Sequence, residues 1–147
     1  MKRKLTPFTL PVPGFGERRM TEADFNAACE REGITVLSQR LPEGINGCCS
    51  WPDGKPTIVI RPRLSNYKRL HAQFHELGHY FLHGNQKHLL RVLTSEEPYT
   101  PLQLAAEVEA DTAALVAIAP GFPINFWLRA VTPDAFKSKT WAKVGVA

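Results

Sequence analysis

The apolar positions of the chain keep two different rhythms, and the change falls near residue 65. Residues 1–20 carry Pro7, Pro11 and Pro13 and read as an extended, Pro-rich lead-in to a single domain over residues 21–147. Thr21 is suited to cap an amphipathic helix over residues 22–32. Ala23, Phe25, Ala27, Ala28 and Cys29 supply its apolar positions, and Gly33 stops it. Three short apolar runs follow, at 34–37, 45–50 and 57–61, and the last two flank Pro52-Asp53-Gly54, which is hairpin chemistry. Thr57-Ile58-Val59-Ile60-Arg61 is the strongest strand signal. Pro62 directly after it predicts an exposed edge, on which an extended peptide would pair. Beyond Ser65 the period becomes helical. The order of helix, strands and further helices predicts an α+β fold, with a small antiparallel sheet packed against a helical core.

The chemistry sits at the start of the helical half. His75-Glu76-Leu77-Gly78-His79 is an HExxH motif. A helix brings residues i and i+4 onto one face, so both imidazoles can hold one metal ion. Glu76 is then placed to act on water as general base. Leu70, Phe74, Leu77 and Phe81 give the helix an apolar face, and Gly78, costly by about 1 kcal/mol inside a helix, predicts close packing against another element.

The third ligand is not in the same helix. A metzincin continuation needs His ten residues after His75 and Gly at position 82, where this chain has Asn85 and Leu82. A carboxylate from a second helix remains, and the segment from Leu102 to Ala119 offers Glu107, Glu109 and Asp111. On a helical wheel Leu102, Ala105, Ala106, Ala113, Val116 and Ala117 form one arc. Glu109 falls near its centre, whereas Glu107 and Asp111 fall on the polar flank with Gln103. A carboxylate among small apolar side chains is costly without a cation to meet it. The wheel therefore selects Glu109 as third ligand, with Glu107 as the alternative. Zinc suits this donor set, and manganese or iron fits the same ligands.

The segments His75 to His83, HELGHYFLH, and Glu107 to Pro120, EVEADTAALVAIAP, resemble the ImmA/IrrE family of metallopeptidases, whose pattern is roughly HELGH…LLH followed by ExEANxFAxxLLMP. The run GINGCCSWPDGKPTIVIRP is similar to the family's strand pair, and residues 130–136, with Thr132 and Pro133 at their start, resemble its short closing helix. The likeness extends from about residue 20 to the end. It implies a zinc-dependent protease that cuts a DNA-binding helix-turn-helix repressor and so derepresses a stress or mobile-element operon. His75, His79 and Glu109 would be its ligands and Glu76 its base. The family's Phe is here Ala113, and its Met before the final Pro is Ala119, which leaves substrate choice open.

Several other residues invite a role. His71 and His83 extend the i+4 series but drift by about 40° per step, which keeps them from the same first set of ligands. His83 is then a contact to substrate or to a ligand. Asp111 is suited to accept a hydrogen bond from a ligand imidazole. Tyr80, with Tyr67 and Tyr99, is a candidate for polarising a scissile carbonyl. Trp51, Trp127 and Trp141 read as packing residues.

Composition changes this picture little. The 147 residues suit one domain, and a formal charge of +4 is mild. Lys2-Arg3-Lys4 and Arg18-Arg19 read as solvated clusters, so no direct nucleic-acid binding is expected. No apolar run approaches a membrane span, and the prolines break any signal-peptide core, so the expected location is the cytoplasm. Cys29, Cys48 and Cys49 have neither a disulfide framework nor zinc-ribbon spacing. The rival to a peptidase is a non-catalytic regulatory module holding a structural metal. An intact Glu76 and only three protein ligands favour the enzyme.

Overall fold

The computed structural model of the protein describes residues 5–87, 90 and 98–121. Trp127, Trp141, the basic cluster at residues 2–4 and the closing helix expected at 130–136 lie outside them. The architecture is α+β: among the described residues it has three α-helices and a three-stranded sheet, in the order α1 (Glu22–Glu32), β1 (Thr35–Ser38), β2 (Gly47–Ser50), β3 (Thr57–Ile60), α2 (Asn66–His83) and α3 (Pro101–Ile118).

α1 begins and ends where its punctuation demands. The Thr21 side chain accepts from the Asp24 N–H and the Asp24 carboxylate accepts from the Thr21 N–H, a reciprocal capping box, and Gly33 closes the helix at φ 70°. Phe25, Ala28 and Cys29 form its buried face.

The sheet departs from the expected pattern in two ways. It is mixed, because β1 runs parallel to β3 while β2 runs antiparallel to it. The strand order β1-β3-β2 also makes β3 central, not an edge. The 52–54 turn sends β3 back along β2, and its other side is then filled by β1, which pairs Thr35 with Thr57 and Ser38 with Ile60. All four residues of β3 are buried, as expected of a continuous Thr-Ile-Val-Ile run covered on both faces. Arg61 fastens the loop before β2: its backbone N–H donates to Asn46 O, and its guanidinium donates to the carbonyls of Leu41, Pro42 and Ile45.

α2 and α3 pack closely against each other, and Gly78 is the reason. A β-carbon there would lie 3.2 Å from Ala113 Cβ and 3.4 Å from Ala110 Cα. Phe74 and Leu77 of α2 point the other way, into a core shared with Phe25, Ile58 and Ile60. The Pro-rich lead-in belongs to that core. Leu10, Val12, Phe15 and Met20 are buried, Phe15 stacks on Phe74, and the Met20 N–H donates to Ala117 O at the end of α3. No helix among the described residues is long and apolar enough to cross a membrane.

Candidate metal centre

The His75 and His79 side chains rise from adjacent turns of α2, with ring centroids 4.8 Å apart and planes at 81°. α3 supplies the group that meets them. Its Thr100 N-cap, reinforced by Gln103 in a second capping box, fixes the register of the helix. One helical turn later, Glu107 Oε2 lies 2.9 Å from His75 Nε2 and 3.1 Å from His79 Nε2. One donor atom from each of His75, His79 and Glu107 falls within 4.8 Å of the others.

Two further carboxylates surround this trio. Asp111 Oδ1 is 2.6 Å from His75 Nδ1, which fixes the far side of that imidazole and leaves Nε2 aimed at Glu107. The same Asp111 oxygen is 3.8 Å from His71 Nε2. Glu76 Oε2 is 3.8 Å from His75 Nε2, and the carboxylate is almost fully buried. A β-carbon on Gly47 would lie 3.0 Å from Glu76 Cγ and 3.2 Å from its Oε2. The backbone of β2 therefore passes directly alongside the carboxylate, and any side chain at position 47 would press Glu76 from its place.

The charges of these groups are strongly interdependent. Burial pushes the Glu76 carboxyl up, and His75 and His79 only partly counter it. Glu107 is also resisted by burial, but His79 and His75 outweigh that and hold it well below the usual carboxylate range. Burial pulls His75 down, yet Asp111, Glu76 and Glu107 together hold it well above an ordinary histidine. Three carboxylates, Glu76, Glu107 and Asp111, thus converge with two imidazoles on one small volume, an excess of negative charge that holds His75 toward its charged form here and that a bound cation would offset in its place. The donor set fits a divalent metal: two imidazole Nε2 atoms and one carboxylate oxygen, with His75 oriented from behind by Asp111.

The residues singled out from the sequence are therefore distributed as follows. His75, His79, Glu76, Asp111 and Glu107 come together. Glu109 does not: its Oε1 lies 3.6 Å from His83 Nε2, and its side chain is 47% exposed. The difference comes from the true buried arc of α3. Leu102 is 65% exposed and Ala105 is also outside, whereas Ala110 and Ala114 are fully buried. Exchanging those members turns the centre of the arc by roughly 40° at about 100° per residue, away from Glu109. Glu107 then sits on the flank that faces the histidines. His83 is buried with its Nδ1 3.0 Å from His79 Nδ1, and burial, helped by His79, pulls its pKa down to about 4. The Tyr80 hydroxyl donates to Glu32 Oε1 on α1, and its ring stacks on Trp51, so it is engaged away from the trio. Gly47 was not anticipated; its signal was a glycine at the start of a strand, which marks close backbone approach.

Comparison with known proteins adds the family. No curated protein and no solved structure matches the chain. One family profile, Peptidase_M78, described as the IrrE N-terminal-like domain, matches residues 29–120. That span runs from the end of α1 through the sheet and both helices that carry the trio. With most of its length matched and the histidine pair, Glu76 and Glu107 all inside the matched region, the chain belongs to this peptidase family.

Proposed function

We propose that the protein is a zinc-dependent metalloendopeptidase in which His75, His79 and Glu107 hold the metal and Glu76 is the catalytic base. The observation that carries this reading is the convergence of three donor atoms within 4.8 Å, with a buried carboxylate beside them that serves none of the three positions. A bound divalent cation supplies Lewis acidity toward a peptide carbonyl. The protein groups do the rest. Glu76, held up in pKa by burial, accepts a proton from the attacking water and later returns it to the leaving amine. Asp111 keeps the His75 proton on Nδ1.

An extended substrate needs a strand edge beside these groups. Since β3 is central, β2 takes that part: among the described residues only β3 pairs with it, and Gly47 brings its backbone against Glu76. Backbone pairing conveys little sequence preference, so selectivity comes from docking on a folded partner. The substrate class we propose is a helix-turn-helix DNA-binding repressor, supported by the likeness of the two motif segments to the ImmA/IrrE family.

The test separates the two carboxylates of α3. Glu107→Ala is expected to lose zinc during purification, and Glu109→Ala to retain at least partial zinc. Equal zinc content in Glu107→Ala and wild type refutes the ligand set. For the substrate, the purified protein is incubated with casein and with a repressor encoded beside its gene. Rapid loss of casein without preference for the repressor would overturn the narrow-specificity reading.

A further inference from the structure

Trp51 directly follows β2, and its part-exposed ring does more than fill space. Side chains of a strand alternate between faces, and positions 47, 49 and 51 are the ones that face α2. Gly47 lies against Glu76, Cys49 packs against the core, and Trp51 stacks on Tyr80 with ring centroids 6.4 Å apart and planes at 14°. A β-carbon on Gly84 would lie 3.6 Å from Trp51 Cζ2, so the indole sits beside the end of α2. Strand and helix keep step over this stretch. The four residues from Gly47 to Trp51 cover about 13 Å, and the eight from Glu76 to Gly84 cover about 12 Å.

The turn after α2, in which the Gln86 N–H donates to His83 O, brings Lys87 back over this ring. Lys87 Nζ is 4.7 Å from the Trp51 ring centroid, a cation–π contact, and its side chain is exposed. Among the described residues no carboxylate pairs with that ammonium. The Tyr80 hydroxyl is already donated to Glu32, so the free charge on this aromatic platform is that of Lys87. Charge along the strand therefore changes sign. Glu76, with Glu107 and Asp111 beyond it, lies at the Gly47 end, and an ammonium stands at the Trp51 end.

We propose that Trp51, Tyr80 and Lys87 form a side-chain subsite that receives an acidic residue of an extended peptide substrate, about four residues from the one opposite Gly47. It rests on the reading of β2 as the edge that pairs with substrate. Paired strands set opposite side chains about 5 Å apart on the same face. The substrate side chain opposite Trp51 then lays its methylenes on the indole and brings its carboxylate beside the Lys87 ammonium. Substrate residues one place to either side point to the other face of the sheet and gain nothing. The subsite thus adds a side-chain preference and a register to a backbone pairing that has neither by itself.

The probes are peptide hydroxamates, whose hydroxamate takes the metal and so fixes the register. Thr-Val octapeptides carry it at the C-terminus in one series and at the N-terminus in the other, which samples both strand directions. A single Glu or Gln occupies the third, fourth, fifth or sixth place from it. Calorimetry on the full zinc-loaded chain then gives affinities without any cleavage. At one place in one series the Glu probe is expected to bind about three- to fivefold tighter than its Gln counterpart, with ratios near one at the adjacent places. Lys87→Glu, an exposed exchange that spares the core, is expected to reverse the preference, so that a Lys probe binds better at that place than a Glu probe. Ratios near one at every place in both series, equal ratios at adjacent places, or a Glu preference that persists in Lys87→Glu overturns the subsite. The underlying readings fail by different signs. Octapeptide hydroxamates that bind no tighter than acetohydroxamic acid refute pairing on β2, and the subsite with it. Hydroxamates that bind Glu107→Ala as tightly as wild type refute the metal centre.

Discussion

A single methyl group on Gly78 should be tolerated, and two more should open the metal centre. The β-carbon of alanine would sit 3.2 Å from Ala113 Cβ and 3.4 Å from Ala110 Cα. The first distance lies a few tenths of an ångström inside the roughly 3.5–4.0 Å optimum for carbon pairs. That overlap is opposed by the gain of about 1 kcal/mol from replacing glycine inside a helix, so Gly78→Ala should leave stability within about 1 kcal/mol of wild type. Gly78→Val adds two γ-carbons where Ala110 and Ala113 are already fully buried. Overpacking costs about 1–3 kcal/mol, and at roughly 3 °C per kcal/mol for a chain of this size the metal-free protein should melt about 3–9 °C lower. The larger effect should be on the metal. Glu107 lies one turn before Ala110, so any separation of α3 from α2 at Gly78 carries its carboxylate off the histidines. Metal sites tolerate only about 0.2 Å of ligand displacement, so zinc affinity should fall by more than about tenfold. Thermal melts with and without zinc, together with chelator competition, measure both effects. A Gly78→Val protein with wild-type melting temperature and wild-type zinc affinity would show that the helices are not held at this distance by the glycine.

Three further outcomes follow from the site and its supports. Glu76→Gln should retain zinc and lose cleavage, since the amide keeps the shape without accepting a proton; a wild-type cleavage rate would remove Glu76 from the role of base. Gly47→Ala places a β-carbon 3.0 Å from Glu76 Cγ, so cleavage should fall while zinc content stays level, as measured on the same preparation; an unaltered cleavage rate would mean that Glu76 need not hold its present position. The Arg18 guanidinium, with help from Thr21, holds the Asp24 carboxyl well below its usual range. A depressed folded-state pKa stabilises above the unfolded value of about 3.9 and loses that effect as pH falls through the folded one. The stability gap between wild type and Asp24→Asn, read by urea unfolding, should therefore be constant from about pH 5 to 7 and narrow below about pH 4; an equal gap at pH 3 and pH 7 would refute the ion pair's contribution.

The parts of this molecule legible from sequence are those whose signals are local. Thr21 and Gly33 mark both ends of α1 because a cap is chemistry between near neighbours. His75, Glu76 and His79 announce a metal helix because i and i+4 share a face in any α-helix. Gly78 betrays close packing because glycine is costly there. What was hidden depended on other segments. Leu102 and Ala105 look like core residues by type but are exposed, and counting them in place of Ala110 and Ala114 turned the apparent arc of α3 toward Glu109. Leu10, Val12 and Phe15 lie in irregular backbone, which has no period to reveal a buried face. The central position of β3 was legible in principle, since four consecutive buried residues, Thr57 to Ile60, are the mark of a strand covered on both sides. The proline after it drew the reading toward an edge instead.

The hydrogen bond from Met20 to Ala117 has a consequence for the order in which the protein can assemble. The lead-in is among the first parts of this sequence to leave a ribosome, and the end of α3 comes roughly a hundred residues later at about 5–20 residues per second. For several seconds, then, Leu10, Val12, Phe15 and Met20 have no complete surface to bury against. The metal trio is under the same delay, because Glu107 is carried by that late helix. Closing a loop of this length adds little to the equilibrium cost but slows the search for the native pairing. The nascent chain therefore presents a histidine pair and an unburied apolar segment together, before the helix that completes both has been made.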